Sequence, residues 1–107
     1  SAAYGAAKTG LAHLTQSLAM EWAPQVRVTT VTVGYLETEK AGLHFGSDEG
    51  ISSVAKLMPM GRLVQPHDVA EACVFLASAE ASFITGADLA VHGGGEWPPF
   101  HSVVTHE

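Results

Sequence analysis

Residues 26–34 read V-R-V-T-T-V-T-V-G. The run is rich in β-branched residues, with Val31 and Val33 on one face and threonine on the other, and Gly34 ends it. Such a pattern predicts a β-strand. No charge follows Arg27, which places the strand inside a sheet rather than at its rim.

On its N-terminal side, residues 1–23 predict a helix. Ala2, Ala3, Ala6, Ala7, Ala12 and Ala19 favour it, and Leu11, Leu14, Leu18 and Trp22 recur at helical spacing. Gly5 and Gly10 weaken the helix locally, but with the alanines they leave a smooth surface for close packing. Pro24 stops it, because the residue before a proline is pushed out of the helical region.

On the C-terminal side, residues 35–64 mix charges with Gly42, Gly46 and Gly50. They predict a loop with one or two short helices, the later one over 52–57, and such an excursion often binds substrate. Residues 65–80 predict a second helix. Pro66 suits its first turn, Asp68 suits its positive end, and Val69, Ala72, Cys73 and Leu76 form an apolar stripe. Residues 87–92 alternate as a short final strand, ended by Gly93, Gly94 and Gly95. The tail, 96–107, has no periodicity, although Trp97 and Phe100 are apolar.

Strands separated by helices imply a parallel sheet, hence an α/β fold. Two strands do not make a stable parallel sheet alone, since such sheets are covered on both faces. The 107 residues therefore read as part of one doubly wound domain. The first residue is Ser1, not Met, which agrees with a chain whose beginning lies elsewhere.

Composition narrows the function. The formal net charge is −6 and five basic residues are scattered as Lys8, Arg27, Lys40, Lys56 and Arg62, so neither nucleic acid nor an anionic membrane surface is an expected partner. No apolar run has the length of a membrane span. Cys73 is the single cysteine and cannot form an internal disulfide, which suits a soluble cytoplasmic protein. On its helix stripe it reads as a small buried hydrophobe. The six histidines include only His92, His101 and His106 near one another, so no metal site is expected. Only 15% of the residues are charged, which leaves faces suited to being covered.

Tyr4 and Lys8 stand four apart on the first helix and so share a face. An ammonium held beside a phenol stabilises the phenolate, bringing a group that ordinarily titrates near pH ~10 toward use as a proton donor or acceptor. On spacing alone, a solvated helix face is the better explanation of the pair.

The context of the pair is more specific. S-A-A-Y-G-A-A-K-T-G-L over 1–11 resembles the active-site segment of the short-chain dehydrogenase/reductase family, including its 3-oxoacyl-[acyl-carrier-protein] reductase and hydroxysteroid dehydrogenase types. V-T-V-G-Y-L-E-T over 31–38 resembles the strand end and turn that receive the nicotinamide. P-M-G-R-L-V-Q-P-H-D-V-A-E-A-C-V-F-L-A-S over 59–78 resembles the late helix with its lead-in, and A-S-F-I-T-G-A-D-L-A-V-H-G-G over 81–94 resembles the last strand. These pieces follow the family's order up to Gly95.

The resemblance implies a Rossmann-type domain of which this is the C-terminal portion, and an NAD- or NADP-dependent oxidoreductase interconverting a secondary alcohol and a ketone. It implies Tyr4 as general acid or base, with Lys8 assisting it and contacting the nicotinamide ribose. Gly34 would allow the cofactor close to the strand end. Leu36, through its backbone, and Thr38, through its hydroxyl, would hold the carboxamide. Thr38 could equally cap a short helix. Tyr35, Leu43 and His44 are candidates for the substrate site, although Leu43, His44 and Phe45 could instead pack the loop on itself. The apolar run 57–60 suits a hydrophobic carbonyl compound, such as an acyl thioester or a steroid-like ring. A homo-oligomer, dimer or tetramer, is implied, with the tail touching a neighbouring subunit, although Trp97 and Phe100 could equally cover the core edge.

Four features depart from the family pattern. No G-x-x-x-G-x-G phosphate turn occurs, and the catalytic serine and asparagine would precede Ser1, so the missing N-terminal part is itself an expected partner. Val33 stands where proline is usual, and His92 where an acidic residue is usual. The chain alone is therefore expected to be inactive. The alternatives are a non-catalytic binding or self-association module and a structural remnant of the same fold.

Overall fold

The computed structural model describes residues 2–37 and 48–95. Helix α1 spans Ala2–Trp22, strand β1 Thr30–Val33, helix α2 Asp48–Leu57, helix α3 Pro66–Ala77, and strand β2 Asp88–Val91, with a single 3-10 turn at Ala79–Ala81 before β2. Strands β1 and β2 are neighbours. Thr30 N–H donates to the Ala87 carbonyl and Gly34 N–H to the Val91 carbonyl. Both partners advance by four residues, which is parallel register. The described residues fall into two compact units, 2–32 with 69–90, and 33–37 and 48–68 with 91–95.

In the first unit, α1 ends where the Val26 N–H donates back to the Trp22 carbonyl at 3.0 Å. The Leu11–Leu14–Leu18–Trp22 stripe is mostly open: Leu11 is 53% exposed, Leu14 and Trp22 are about as open, and Leu18 is half-buried. The buried positions are Thr15 and Ala19. Thr30 Oγ1 donates to Thr15 Oγ1 at 2.9 Å, and Thr15 Oγ1 donates to the Leu11 carbonyl at 2.9 Å. A relay of hydroxyls therefore ties the strand to the small-residue side of the helix, because a buried hydroxyl is costly without a partner.

Strand β1 is shorter than the run 26–34 that announced it. Val28 spends its N–H on the Thr85 side chain and its carbonyl on the Gly86 N–H, at 3.0 and 2.7 Å. Ladder pairing by the strand proper begins only at Thr30. Among the described residues β2 is the one neighbour of β1, so the interior position expected for it is not seen within this chain.

Helix α3 ends at Ala77, short of the expected residue 80, and its stripe is only partly covered. Leu76 is buried, Val69 and Ala72 are half-buried, and Cys73 is exposed, contrary to the expectation of a buried thiol. Cys73 lies one turn before Leu76's shielded end, on an open recess lined also by Arg27, Thr29, Val31, Leu76 and Ala77. No basic residue stands in the last turn of α3. Arg27 supplies the missing cation from the segment before β1. Its guanidinium donates to the carbonyls of Leu76 (2.7 Å), Ile84 (3.3 Å) and Ser78 (3.4 Å), satisfying acceptors a helix C-terminus leaves open. Ala81, in the 3-10 turn just beyond, is fully buried.

In the second unit, Leu63, 1% exposed, and Val64 form the core with Met58. Burying the Leu63 side chain contributes about 1.5–3 kcal/mol. Helix α2 begins four residues before the predicted start, at Asp48. The glycine turn after β2 packs on the chain just past α2. Gly93 and Gly94 adopt φ of +57° and +84°, and a side chain on Gly94 would begin 2.8 Å from Pro59 Cγ. A side chain on Gly95 would begin 2.7 Å from Met58 Sδ. Met58 is thus buried under the glycine turn, whereas Leu57, Pro59 and Met60 are exposed, Pro59 with one edge against Gly94.

Candidate active site

Tyr4 and Lys8 lie on the first two turns of α1, in the first unit. Their spacing of four brings the side chains to one face, and Lys8 Nζ stands 5.5 Å from the centroid of the Tyr4 ring. Tyr4 is 64% exposed, and nothing lies within 4 Å of where side chains on Gly5 or Gly10 would begin. A phenol and an ammonium are therefore presented together on an accessible, smooth stretch of helix. Chemically, such a pair can pass a proton at the phenol while keeping positive charge beside it.

Gly34, Tyr35 and Leu36 follow the last residue of β1, in the second unit. Gly34 is a close-approach glycine: a Cβ at this position would lie 2.6 Å from His92 Cβ and 3.0 Å from His92 Cα. Sequence reading gave Gly34 a cofactor-facing reason and missed this one. The triple glycine after His92 marks a tight turn but not which residue it abuts. His92 itself is a strand-end residue, whose Nδ1 accepts the Gly94 N–H at 3.0 Å.

Leu36 forms a parallel bridge with Val64. Val64 N–H donates to the Tyr35 carbonyl at 2.8 Å and Glu37 N–H to the Val64 carbonyl at 2.7 Å. In a parallel bridge the intervening residue turns its own N–H and C=O to the opposite edge. Leu36 thus directs a donor and an acceptor away from Val64. Tyr35 is about half exposed. Thr38, Leu43 and His44 lie outside the described residues.

A feature that sequence reading passed over lies beside Val64. Arg62 donates twice to Asp68, Nη1 to Oδ2 at 2.7 Å and Nη2 to Oδ1 at 3.0 Å. Arg62 Nη1 also reaches the Leu63 carbonyl at 3.0 Å, and the Gln65 N–H donates to Asp68 Oδ2 at 2.8 Å. The bonds from Arg62, then that from Gln65, hold the Asp68 carboxyl well below the usual carboxylate range, and the same contact raises Arg62. The spacing R-x-x-Q-x-x-D just ahead of a helix was the available clue, since an acid at the third helical position closes a capping box.

Among the described residues, no group of three His, Cys, Asp or Glu could hold a metal ion, and no helix is long and apolar enough to cross a membrane.

A family model described as Enoyl-(Acyl carrier protein) reductase matches residues 1–96. The cis-4-hydroxycyclohexanecarboxylate dehydrogenase of Sinomonas cyclohexanicum is 47% identical over 96 residues, 88% of this chain and 37% of that protein. A solved 4-hydroxyisoleucine dehydrogenase complexed with NADH matches with a TM-score of 0.77 at 31% identity, covering 89% of this chain and 40% of the other. A structure from Agrobacterium tumefaciens with bound NADP, assigned as a 2-deoxy-D-gluconate 3-dehydrogenase, matches with a TM-score of 0.74 at 39% identity, covering 86% and 38%. The chain spans less than two-fifths of the length of the curated relatives it matches, 17% of one and 37% of two others. Its α/β architecture with a parallel sheet is that of Rossmann-type dehydrogenases. With four segments in order and a family match over nearly its whole length, the chain belongs to the short-chain dehydrogenase/reductase family.

Proposed function

We propose that the protein carrying this chain is an NAD(P)-dependent oxidoreductase that interconverts a secondary alcohol and a ketone, with Tyr4 as its general acid or base. The observation that carries this reading is the pairing of Tyr4 with Lys8 on one accessible face of α1. Family membership supplies the reaction class, and the relatives' bound NADH and NADP supply the cofactor class.

In the first unit, the ammonium and phenol on α1 suit the ribose hydroxyls of a nicotinamide dinucleotide; in the second, taken by itself, the outward-turned amide groups of Leu36 suit a carboxamide. When bound, that group supplies or accepts the hydride. Lys8 contacts the ribose and keeps positive charge beside the phenol. Tyr4 Oη delivers a proton to the carbonyl oxygen during reduction, or removes it from the hydroxyl during oxidation. Gly34 keeps the strand end free of a side chain, and Thr38 adds a hydroxyl to the carboxamide contact. Tyr35, Leu43 and His44 border the substrate, a hydrophobic carbonyl compound of acyl-thioester or steroid-like type.

The test is Tyr4→Phe in the full-length protein. Loss of the proton-transferring hydroxyl should lower kcat about 10²–10⁴-fold while NADH or NADPH still binds. Unchanged kcat would remove Tyr4 from the mechanism. The isolated 107-residue chain has no phosphate-binding glycine turn and should bind neither cofactor tightly.

A second reading is favoured by the apolar surface: Met20, Val74 and the wholly exposed Phe83 want cover. On it these faces pair copies of the chain in a cytoplasmic homo-oligomer, and a monomer in sedimentation at micromolar concentration counts against it.

A further inference from the structure

The bonds around Arg62 join residues that propensity alone would leave loosely related. Gly61, at φ +80°, turns the chain immediately before Arg62, and its N–H donates to the Met58 carbonyl at 2.8 Å. Arg62 then bridges six residues forward to Asp68 through two N–H···O bonds. The same carboxylate accepts the Gln65 N–H, and the same guanidinium reaches the Leu63 carbonyl. Between these ties sit Leu63, with its side chain buried, and Val64, which pairs with Leu36. Residues 61–68 are thus closed into a ring that caps the start of α3 and fixes the placement of Val64.

Energy does not explain this arrangement well. The Arg62 side chain is 51% exposed, and an exposed ion pair stabilises a fold little. Geometry explains it better. A planar guanidinium gripping a carboxylate at two points fixes orientation as well as distance, which a lysine does not do. The oriented element is the extended backbone at 35–37, through Val64 N–H to the Tyr35 carbonyl and Glu37 N–H to the Val64 carbonyl.

We propose that Arg62 and Asp68 are a positioning pair, which holds Val64 against Tyr35–Glu37 and so keeps the Leu36 N–H and C=O aligned for a carboxamide. This rests on the oxidoreductase reading above, because the carboxamide is the nicotinamide's. Neither residue touches the cofactor; both act through Val64.

The test uses the full-length protein and three variants, Asp68→Asn, Arg62→Lys and, as control, Arg27→Met. Arg27→Met removes a comparable guanidinium clamp elsewhere, at the end of α3. Amide exchange at Glu37 and Val64 is measured without ligand, and NADH and NADPH affinity by fluorescence titration. Asp68→Asn and Arg62→Lys should speed exchange at both amides about tenfold. They should also raise the cofactor Kd and KM about tenfold, with a smaller effect on kcat. Arg27→Met should lower the melting temperature without either change. Native exchange rates in both clamp variants would overturn the proposal, as would faster exchange with native affinity or the same loss of affinity in Arg27→Met. A wild-type protein that binds neither cofactor would instead overturn the oxidoreductase reading.

Discussion

A side chain on Gly34 would begin 2.6 Å from His92 Cβ, closer than two carbon atoms pack without bonding. The contact joins the residue after β1 to the residue after β2. Gly34 N–H donates to the Val91 carbonyl at 3.0 Å, so the backbones are held at ladder distance and no room opens for a methyl group. Gly34 therefore serves packing whatever else it serves.

Gly34→Ala should destabilise the protein by about 1–3 kcal/mol, the usual cost of forcing an extra carbon into a filled site. Urea unfolding would show it as a lower midpoint at unchanged slope. His92→Gly removes the opposing Cβ but also the Nδ1 acceptor of the Gly94 N–H, so a double-mutant cycle is the measure: Gly34→Ala should cost less in the His92→Gly background than in wild type. An equal cost in both backgrounds would mean that the His92 Cβ is not the cause.

Lys8→Met keeps the aliphatic stem and removes the charge 5.5 Å from the Tyr4 ring. In the full-length protein it should raise the cofactor KM and lower kcat together, the expected outcome when one group serves both binding and proton transfer. Steady-state kinetics with each substrate varied separates the two effects. A change in KM alone would confine Lys8 to binding.

Asp68 makes stability depend on acid in a defined direction. Its carboxyl is held below the usual range by Arg62 and by the Gln65 amide. A group with a depressed folded pKa contributes stability that is complete above the ordinary carboxylate value of ~4 and is lost as pH falls toward the folded value. Asp68→Asn should therefore melt lower than wild type from pH ~8 down to ~5, and the gap should narrow below ~4. His67, with Nε2 3.5 Å from Asp68 Oδ1, also faces the carboxylate, and Glu37 acts on Arg62. Repeating the comparison in a His67→Gln background isolates the Arg62 contribution. A gap constant to pH ~2 would mean that the carboxylate's charge is irrelevant.

Arg27→Met should cost roughly 1.5–3 kcal/mol, since it strips charged donors from three carbonyls at and beyond the end of α3. Hydrogen exchange at the last turn of α3 and the 3-10 turn should rise first. Faster exchange confined to β1 would place the role of Arg27 in the strand instead.

Much of the architecture was legible in the residues themselves. Alanines with Pro24 mark α1, Pro66 and Asp68 mark the start of α3, and β-branched runs mark the strands, because these choices act through local backbone preference. The Tyr4–Lys8 pairing is equally local: four residues of helix bring the two side chains together. Short-range chemistry of this kind needs no knowledge of the remainder of the fold.

The tertiary structure decided what periodicity does not encode. Which side of α1 is buried depended on Thr30 offering a hydroxyl to Thr15, so small Thr15 and Ala19 went inward and Leu11 and Leu14 stayed out. Where β1 begins depended on Thr85 and Gly86 occupying the groups of Val28. Why Gly34 must be glycine depended on His92, fifty-eight positions later in the numbering. Likewise the apolar run 57–60 divided, Met58 packing under the glycine turn while Leu57 and Met60 faced out. In each case a partner distant in sequence claims a hydrogen-bonding group or a volume, and only the folded chain shows which partner that is.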